Sequence, residues 1–556
     1  MGREINEDRI HDLDEKIEEG AEDTIQLKRT RNSLLNISTR IPPEILGHIF
    51  RWRVTPDEDR PYPRGLPKDS HNFRLVCHHW FEVAAHTPEL WGYWGNTLKK
   101  WLRFYQRSGT TPIDLVLNGD RISDSSIPFN GPLRDALRGR AELDAIRSIH
   151  LRSQKKPLMD SILSSLTLDG EGIRGSSIEL ISSRYVDVSK FLARHRFPKL
   201  RYLHLASRVR FSPWEHLGQH TRALTDLSLT LNDKTSSPTM TQLLSVLTSN
   251  PCLRILALSK WAVPCDTGDG PTVPVPLRYL ERLSINANVH PVFRLLSQLE
   301  YPKRRDETNL TVSNCRVEDV LGTLGPHIRD HIQRDGRFRD SLGIFITSSP
   351  DAVSIETSTT IYSGDTTQRL AFATFTAIIR EDLPPHEEGQ MCLDLVTHIP
   401  VEHVVYFGGN LRMSAVKRAV PTMPKIEELR LIYPELQDGF LQPNRRDPPA
   451  KKLLPSLQRL CLEDVVLENE DWGPLLPYLT HQTSDGQRIS LTISGTREHI
   501  CKDVLKEMER LTDGLVLNLS LDSECSFDYC PISEEDGEWR ERHRVAWGIW
   551  YQEHRG

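Results

Sequence analysis

The chain has 556 residues, of which 38% are hydrophobic and 26% charged, an ordinary composition for a folded protein with a large core. Its net charge of −6 and its 7% of aromatic residues exclude an overall basic field and give no sign of base-stacking platforms, so we expect no nucleic-acid partner. The length predicts two to four domains, unless the chain is built of repeats, which grow without splitting.

Cysteine usage and the N-terminal residues bear on the compartment. Nine cysteines are scattered along the chain, and only Cys525 and Cys530 lie close together. An odd number at wide spacing predicts neither a disulfide framework nor a CxxC metal pair. The charged N-terminus lacks a secretory signal, and no apolar run is long enough to span a membrane. We therefore expect a cytoplasmic or nuclear protein with no membrane partner.

Residues 1–36 are highly charged, with apolar residues recurring at heptad spacing. Gly20, Thr24 and Arg31 occupy the intervening core positions of that heptad. The segment therefore predicts a short amphipathic helix rather than a stable coiled coil.

The next segment, residues 37–98, holds apolar blocks separated by a proline-rich stretch. The first block, IPPEILGHIF at 41–50, places two prolines where a helix can begin and continues with an apolar stripe. Helical spacing resumes in FRLVCHHW at 73–80 and reaches Ala84, and Pro88 then stops it within the block AAHTPELW at 84–91. Residues 55–70 hold four prolines among charged residues and predict an exposed loop.

From about residue 140 the chain follows the pattern L-x-x-L-x-L, which is typical of leucine-rich repeats. Its alternating apolar residues predict a short strand with one buried face, and the segment between two strands, such as 240–249, predicts a covering helix. One unit cannot bury its own apolar face, so several must stack. The pattern occurs at Ile146/Ile149/Leu151, Leu200/Leu203/Leu205, Leu224/Leu227/Leu229, Leu253/Leu256/Leu258, Leu280/Leu283/Ile285, Ile426/Leu429/Leu431 and Leu457/Leu460/Leu462.

The spacing of the units extends the pattern in both directions. The middle residues Leu203, Leu227, Leu256 and Leu283 are 24, 29 and 27 residues apart. Continuing backward, this spacing predicts a degenerate strand at Ile178 and Leu180. Continuing forward, it reaches Leu310 and Val312.

The repeat is irregular between residues 340 and 420. Strand-like composition recurs there without a fixed spacing, at 343–346, 370–379, 392–396 and 403–407. Regular strands return at 489–493 and 515–519, with a helix expected over 498–511. Residues 531–556 contain three tryptophans and are expected to cap the open end of the stack.

Residues 37–94 resemble the F-box family. The family pattern is roughly L-P-x-E-I-L-x-x-I-F, then L-x-x-V-C-x-x-W and A-x-x-x-P-x-L-W, which the three blocks above follow in order. Ile41 and Phe73 each replace a usual leucine, and the insertion at 55–70 is longer than the typical gap. A short charged helix before the block and a long degenerate leucine-rich tail are similar to the large F-box group of fungal genomes.

The resemblance implies that these helices pack against a Skp-family adaptor, which docks on a cullin scaffold. By position it assigns the adaptor-binding surface to Ile41, Pro42, Pro43, Glu44, Ile45, Leu46, Ile49, Phe50, Leu75, Val76, Trp80, Pro88, Leu90 and Trp91. So short an apolar segment can hardly bury everything internally, and aromatic anchors are typical of binding hot spots. The alternative is that these residues form only the core of a small helical cap on the repeats.

The predicted fold class is α/β, an N-terminal all-helical F-box followed by a leucine-rich-repeat-like solenoid with a parallel strand ladder. The predicted divisions are a charged helix, the F-box, a linker with the first covering elements, the solenoid and a C-terminal cap. Their bounds are 1–36, 37–98, 99–145, 146–530 and 531–556.

The predicted function is substrate recognition in a Skp–cullin–F-box ubiquitin ligase, with an unknown target protein on the repeat face. The alternative is a leucine-rich interaction scaffold whose F-box is vestigial or independent of cullin. No motif predicts an enzyme, so we expect no catalytic residue, no metal and no cofactor. The G-x-G-x-x-G match at 170–175 precedes a strand-like pattern rather than a helix, and the pairs His216/His220 and His327/His331 lack a third metal ligand in the sequence around them.

Overall fold

The computed structural model describes residues 41–54, 76–94, 107–118 and most of 146–518, together with Leu27, Lys28, Thr30, Arg31 and Asp135. Within 146–518 the description has gaps at 154–155, 167–176, 195–196, 213, 266–273, 303–306, 317, 319, 336–337, 339–341, 350–351, 364–365, 380–390, 392–393, 397, 412, 433, 437–453, 468–471, 473–474, 484–485 and 495–501. The loop expected at 55–70 and the cap expected at 531–556 lie outside the described residues. Of the helix expected within 1–36, only the four residues named above are described, and they are helical.

The chain forms two compact units, Met1–Leu280 with Arg294–Pro302 and Glu281–Phe293 with Lys303–Gly556. Each combines helices with strands that are mostly parallel. The expected α/β class and its large parallel sheet are therefore confirmed.

The first unit begins with helices. Helix α1 (Pro43–Val54) starts at a proline, whose fixed φ suits the first helical turn and whose missing N–H would have no helical acceptor there. The Leu46 amide donates to the Pro42 carbonyl at 3.0 Å, which closes this turn. Helix α2 (His78–Ala85) and a 3-10 turn (Pro88–Trp91) follow.

The strands of the first unit pair in chain order, each parallel to the next. They are β1 (Tyr93–Trp94), β2 (Ile113–Asn118), β3 (Ile146–Ser153), β4 (Ser177–Asp187), β5 (Tyr202–Arg210), β6 (Asp226–Leu231) and β7 (Ile255–Lys260). A separate parallel pair joins β8 (Val275–Pro276) to β10 (Leu299–Glu300).

The register of this ladder aligns equivalent apolar residues from one strand to the next. Leu203 pairs with Leu227 and Leu227 pairs with Leu256, and all three are buried. The degenerate strand predicted at Ile178 is also confirmed, because Ile178 pairs with Leu203 in β4 and β5. Alternation along each strand sends every second side chain to the opposite, polar face.

Helices cover the apolar face between strands. Helices α3 (Lys156–Leu166), α4 (Ser189–Arg194), α5 (Trp214–His220) and α6 (Met240–Ser249) follow β3 to β6 and contact one another in chain order. Helix α6 begins with a capping box, in which Thr239 and Gln242 exchange side-chain and backbone hydrogen bonds. At its end, buried Asn250 accepts a hydrogen bond from the Leu224 amide at 3.0 Å, which ties this helix to the turn before β6.

The second unit has its own ladder, in the order β9, β11, β14, β13, β12, β15, β16, β18, β20, β21. These strands are β9 (Arg282–Asn288), β11 (Glu307–Cys315), β12 (Leu342–Ser349), β13 (Ala352–Ser363), β14 (Thr366–Ile379), β15 (Val404–Gly409), β16 (Glu428–Ile432), β18 (Arg459–Glu463), β20 (Ile489–Ser494) and β21 (Thr512–Asn518). Strand β13 is antiparallel to both neighbours, and β17 (Glu435–Leu436) pairs with β19 (Val466–Leu467) in a separate parallel pair. The helices of this unit are α8 (Gly325–Arg334), α9 (Met413–Ala419), α10 (Leu475–Gln482) and α11 (Lys502–Leu511), and α7 (Val289–Ser297) is divided between the two units.

Besides the antiparallel strand β13, three features differ from expectation. The ladder begins with β1 and β2, ahead of residue 146, because Ile113, Leu115 and Leu117 already alternate inward. Leu283 pairs with Thr308 rather than with Leu310. Because a shift of two residues keeps the same face of the strand inward, Thr308 is buried in the position expected for a leucine.

The strand expected at 392–396 is the third difference, because residues 394–396 are helical. Leu395 and Val396 are both buried. Adjacent buried residues fit one face of a helix, whereas a strand would send them to opposite faces.

Replacing Leu227 with alanine should lower the free energy of unfolding by about 2–5 kcal/mol, because it opens a cavity between two neighbouring buried leucines. Ser228→Ala, on the polar face of the same strand, is the control and should change it by less than about 0.5 kcal/mol. Urea unfolding of the two variants measures the difference, and equal effects would refute the assignment of an inward and an outward face.

Candidate docking surfaces

Helix α1 presents two different apolar faces. Leu46 and Phe50 are fully buried, whereas Ile45, Ile49 and Trp52 are 52%, 45% and 82% exposed. The exposed three are spaced four and three residues apart, so they form one line along the helix. We call these three residues the exposed stripe. The buried pair is offset from it by one position, about 100° around the axis.

The buried face of α1 organises a small core. This core contains Leu46, Phe50, Val83, Ala84, Leu90 and Trp91, with Ile41 and Trp80 partly buried against it. The rings of Phe50 and Trp80 meet edge to face at 5.0 Å between centroids, a favoured aromatic geometry. The helices therefore have an interior of their own, and the exposed stripe is not needed to form it.

Polar contacts hold α1, α2 and the 3-10 turn together. The Arg51 guanidinium donates to the Glu89 carboxylate at 3.1 Å, and both side chains are partly exposed. The Trp91 indole N–H donates to the Ala84 carbonyl at 2.9 Å in the interior. The Thr87 hydroxyl donates to the Val83 carbonyl at 2.7 Å and so secures the end of α2. These bonds orient the outer face of α1 on a fixed base.

The helical core also continues into the strand ladder. The Asp114 amide of β2 donates to the Gly92 carbonyl at 2.7 Å. A side chain at Gly92 would place its Cβ 2.9 Å from the Pro112 carbonyl oxygen, so only glycine allows this approach. Arg107 stacks on the Trp91 ring, with its guanidinium carbon 4.5 Å from the ring centroid.

The residues that the F-box resemblance assigns to adaptor binding fall into distinct groups. Those with exposed side chains are Pro42, Pro43, Glu44, Ile45, Ile49, Val76 and Pro88. Ile41 and Trp80 are half-buried, Leu46, Phe50, Leu90 and Trp91 are buried, and Leu75 lies outside the described residues. The resemblance does not assign Trp52, which lies three residues after Ile49 and continues the exposed line of Ile45 and Ile49.

A second surface is the polar face of β3 to β5 in the first unit. His150, Glu179 and His204 occupy the same position on three successive strands. The Glu179 carboxylate lies 3.0 Å from Nδ1 of His150 and 3.5 Å from Nδ1 of His204. Burial alone would raise the pKa of Glu179, but hydrogen bonds from the two imidazoles outweigh it and lower that pKa to about 2.

Polar contacts continue along this face at its amino-terminal side. Arg147 and Asp114 form a salt bridge, and the Ser148 hydroxyl donates to the same carboxylate at 2.6 Å. Hydrogen bonding to Asp114 raises the pKa of Arg147 despite its partial burial. The polar face is therefore a hydrogen-bonded network in which Asp114, Ser148 and His150 are buried.

No group of three histidine, cysteine or carboxylate side chains in the described part of the chain is placed to hold a metal ion. The rings of His216 and His220 contact each other at a tilt, with 4.1 Å between centroids, and His327 packs edge to face on Phe293 at 5.3 Å. The G-x-G-x-x-G match at 170–175 lies outside the described residues, but β4 starts at Ser177, so a strand follows it, as expected. Among the described helices, none has the length and apolar character needed to cross a membrane.

Comparison of the chain with models of known protein families found no match, and a search of curated proteins found none either. The F-box resemblance therefore rests on the sequence blocks at 41–50 and 73–91.

The two faces of α1 should respond differently to truncation. Phe50→Ala should lower the free energy of unfolding by about 3–5 kcal/mol, because it empties the centre of the small core. Trp52→Ala should change it by about 0.5 kcal/mol or less, because that side chain is 82% exposed. Denaturant unfolding of both variants measures this; a large loss for Trp52→Ala would mean that its ring packs inside the protein.

Glu179 should contribute to stability in a pH-dependent way. Its folded-state pKa of about 2 lies below the ordinary value of 4.5, so its contribution is present above pH 4.5 and is lost as the pH falls towards 2. Glu179→Gln should therefore lower the free energy of unfolding by about 1–3 kcal/mol at pH 7, and by less as the pH falls below 5. Urea titrations of wild type and variant at several pH values measure this difference, and a difference that grew on acidification would contradict it.

Proposed function

We propose that this chain is a substrate-recognition subunit of a Skp–cullin–F-box ubiquitin ligase. Its α1 and α2 bind a Skp-family adaptor, and its strand ladder, which we assign to the leucine-rich-repeat class, binds a target protein. The single observation that carries the proposal is the exposed stripe of α1, an apolar line left outside a core that is already complete.

The distribution of exposed apolar side chains supports a docking role for this segment. Eight large hydrophobic side chains are exposed among the described residues, and four of them, Ile45, Ile49, Trp52 and Val76, lie on or beside α1 and α2. Clustered exposed apolar residues mark interaction surfaces, whereas single ones are ordinary. Trp52 is the natural anchor, since tryptophan is enriched among the residues that contribute most to binding.

The mechanism that follows is positional. The adaptor links the chain to a cullin, and the cullin brings a ubiquitin-charged enzyme close to the target. Holding the target's lysine there raises its effective concentration at the reactive thioester without chemistry by this chain's own side chains. The rigid ties between α1, α2, the 3-10 turn and β2 suit this role, because they fix the adaptor-binding helices on the strand ladder.

The adaptor assignment is tested with Ile49→Asp. A carboxylate on the exposed stripe would be buried without a partner in the complex, so adaptor affinity should fall about 100-fold or more. Ile378→Asp is the matched control: the residue and the change are the same, its exposure of 39% is close to the 45% of Ile49, and it lies on β14. Binding of the purified adaptor is measured by calorimetry, with circular dichroism to show that both variants are folded.

Equal adaptor affinity of Ile49→Asp and wild type would overturn the adaptor assignment. Leu46 and Phe50 are unsuitable for this test, because both are buried and their replacement would disturb the fold itself. Adding cullin separates the two functional candidates: a ligase subunit forms the ternary complex, whereas a scaffold with a cullin-independent F-box binds the adaptor alone.

A further inference from the structure

Positive charge gathers where β4 to β7 end. Arg184 and Arg208 lie near the ends of β4 and β5, Arg210 ends β5, Lys234 follows β6 and Lys260 ends β7, and all five side chains are exposed. We call these five residues the basic edge. It contrasts with the whole chain, whose net charge is −6.

Local backbone geometry shapes the part of this edge that β4 contributes. The register of β4 and β5 shifts between Ser182 and Val186, so that three residues of β4 oppose Arg208 alone. Such a bulge turns side chains away from the regular alternation of the strand. The Ser182 hydroxyl supports it, because it accepts a hydrogen bond from the Arg184 amide at 3.3 Å and lies 3.1 Å from the Ser153 carbonyl oxygen. The bulge thereby presents Arg184 and Tyr185 at the surface.

Two aromatic rings are built into the edge and hold its cations in place. The guanidinium carbons of Arg208 and Arg210 lie 5.4 and 5.8 Å from the Tyr185 ring centroid. The Lys234 ammonium lies 5.6 Å from the Trp261 ring centroid. Cation–π contacts of this kind restrict the side chains without neutralising their charge.

Most of this charge is also unpaired. Arg210 binds the Asp233 carboxylate at 2.8 Å. Arg184, Arg208, Lys234 and Lys260 form no ion pair with any carboxylate of the described residues. A row of oriented cations of which only one is ion-paired among the described residues attracts an anionic ligand.

From this geometry we infer that the basic edge binds an extended acidic segment of another protein. Neighbouring strands are about 4.8 Å apart, and successive residues of an extended peptide about 3.4 Å, so a peptide lying across the strand ends meets a cation every residue or two. Single-stranded nucleic acid fits less well, because base stacking needs open ring faces and cations lie over Tyr185 and Trp261.

Binding of an acidic segment does not require the adaptor. Only the conclusion that this segment belongs to the ubiquitination target rests on the proposed function. Peptide binding and adaptor binding are measured on the same variants. Because the basic edge and the exposed stripe share no residue, a failure of this inference can be told apart from a failure of the proposed function.

The probe is a fluorescein-labelled peptide of alternating glutamate and serine, titrated with the full chain and followed by fluorescence anisotropy. Arg184→Glu/Arg208→Glu should weaken binding about tenfold or more, and added salt should weaken binding to wild type. The matched control is Arg201→Glu/Arg222→Glu, the same change in charge at exposed residues just before β5 and β6. Arg184→Gln/Lys234→Gln should also weaken peptide binding, and it leaves the contact between Arg208 and Tyr185 intact.

Selective loss in the variants of the basic edge, with adaptor binding unchanged, supports the inference. The same peptide with phosphoserine in place of serine shows whether phosphate is preferred to carboxylate, and either preference supports it. The inference would be overturned if the peptide did not bind at low salt, or if a glutamine–serine peptide bound equally well. It would also be overturned if the control variant lost as much binding, or if single-stranded DNA of equal charge bound more tightly through the same arginines.

Discussion

The structure depends on one constraint: a strand of a single repeat can neither bury its apolar face nor pair its backbone alone. Leu203, Leu227 and Leu256 meet across three strands because each completes the burial of the next. Once this inner row is in register, the outer row is aligned as well, since side chains alternate strictly between the two faces. The Glu179 carboxylate reaches two histidines on neighbouring strands for this reason, not because those residues are near in sequence.

The N-terminal helices also bury one face and expose another, but their side chains follow the helical period rather than the two-residue period of a strand. With 3.6 residues per turn, neighbouring positions in α1 point about 100° apart, so Leu46 can complete the core while Ile45 remains outside it. The F-box pattern places apolar residues at both positions without saying which face is internal. Packing against α2 and the 3-10 turn decides that, and it divides residues that a single apolar stripe would have grouped together.

Periodicity predicted much of the ladder, including the degenerate strand at Ile178, because a two-residue alternation and a repeat of fixed length are strong local signals. Periodicity wrongly placed Leu310 opposite Leu283, because the spacing of the repeats ignores the length of the segment between β9 and β11. A shift of two residues leaves the inward face unchanged, so the apolar pattern gave no sign of it. Strand β13 is rich in serine and threonine, and its pairing with β12 and β14 depends on residues distant from its own pattern. The place of Trp52 depended on knowing which face of α1 is buried, which only tertiary packing decides.

The choice of residue is least constrained where the strands end, because the inner leucine rows constrain only the paired positions. The left-handed backbone of Ser207 and Lys260 falls at paired strand positions that both register with Leu231. Beyond that point Val209 and Phe211 are still buried, whereas Arg208 and Arg210 alternate with them on the exposed side and can be selected for charge. An edge of arginine and lysine can therefore stand on a chain of net negative charge without weakening the apolar rows that support it.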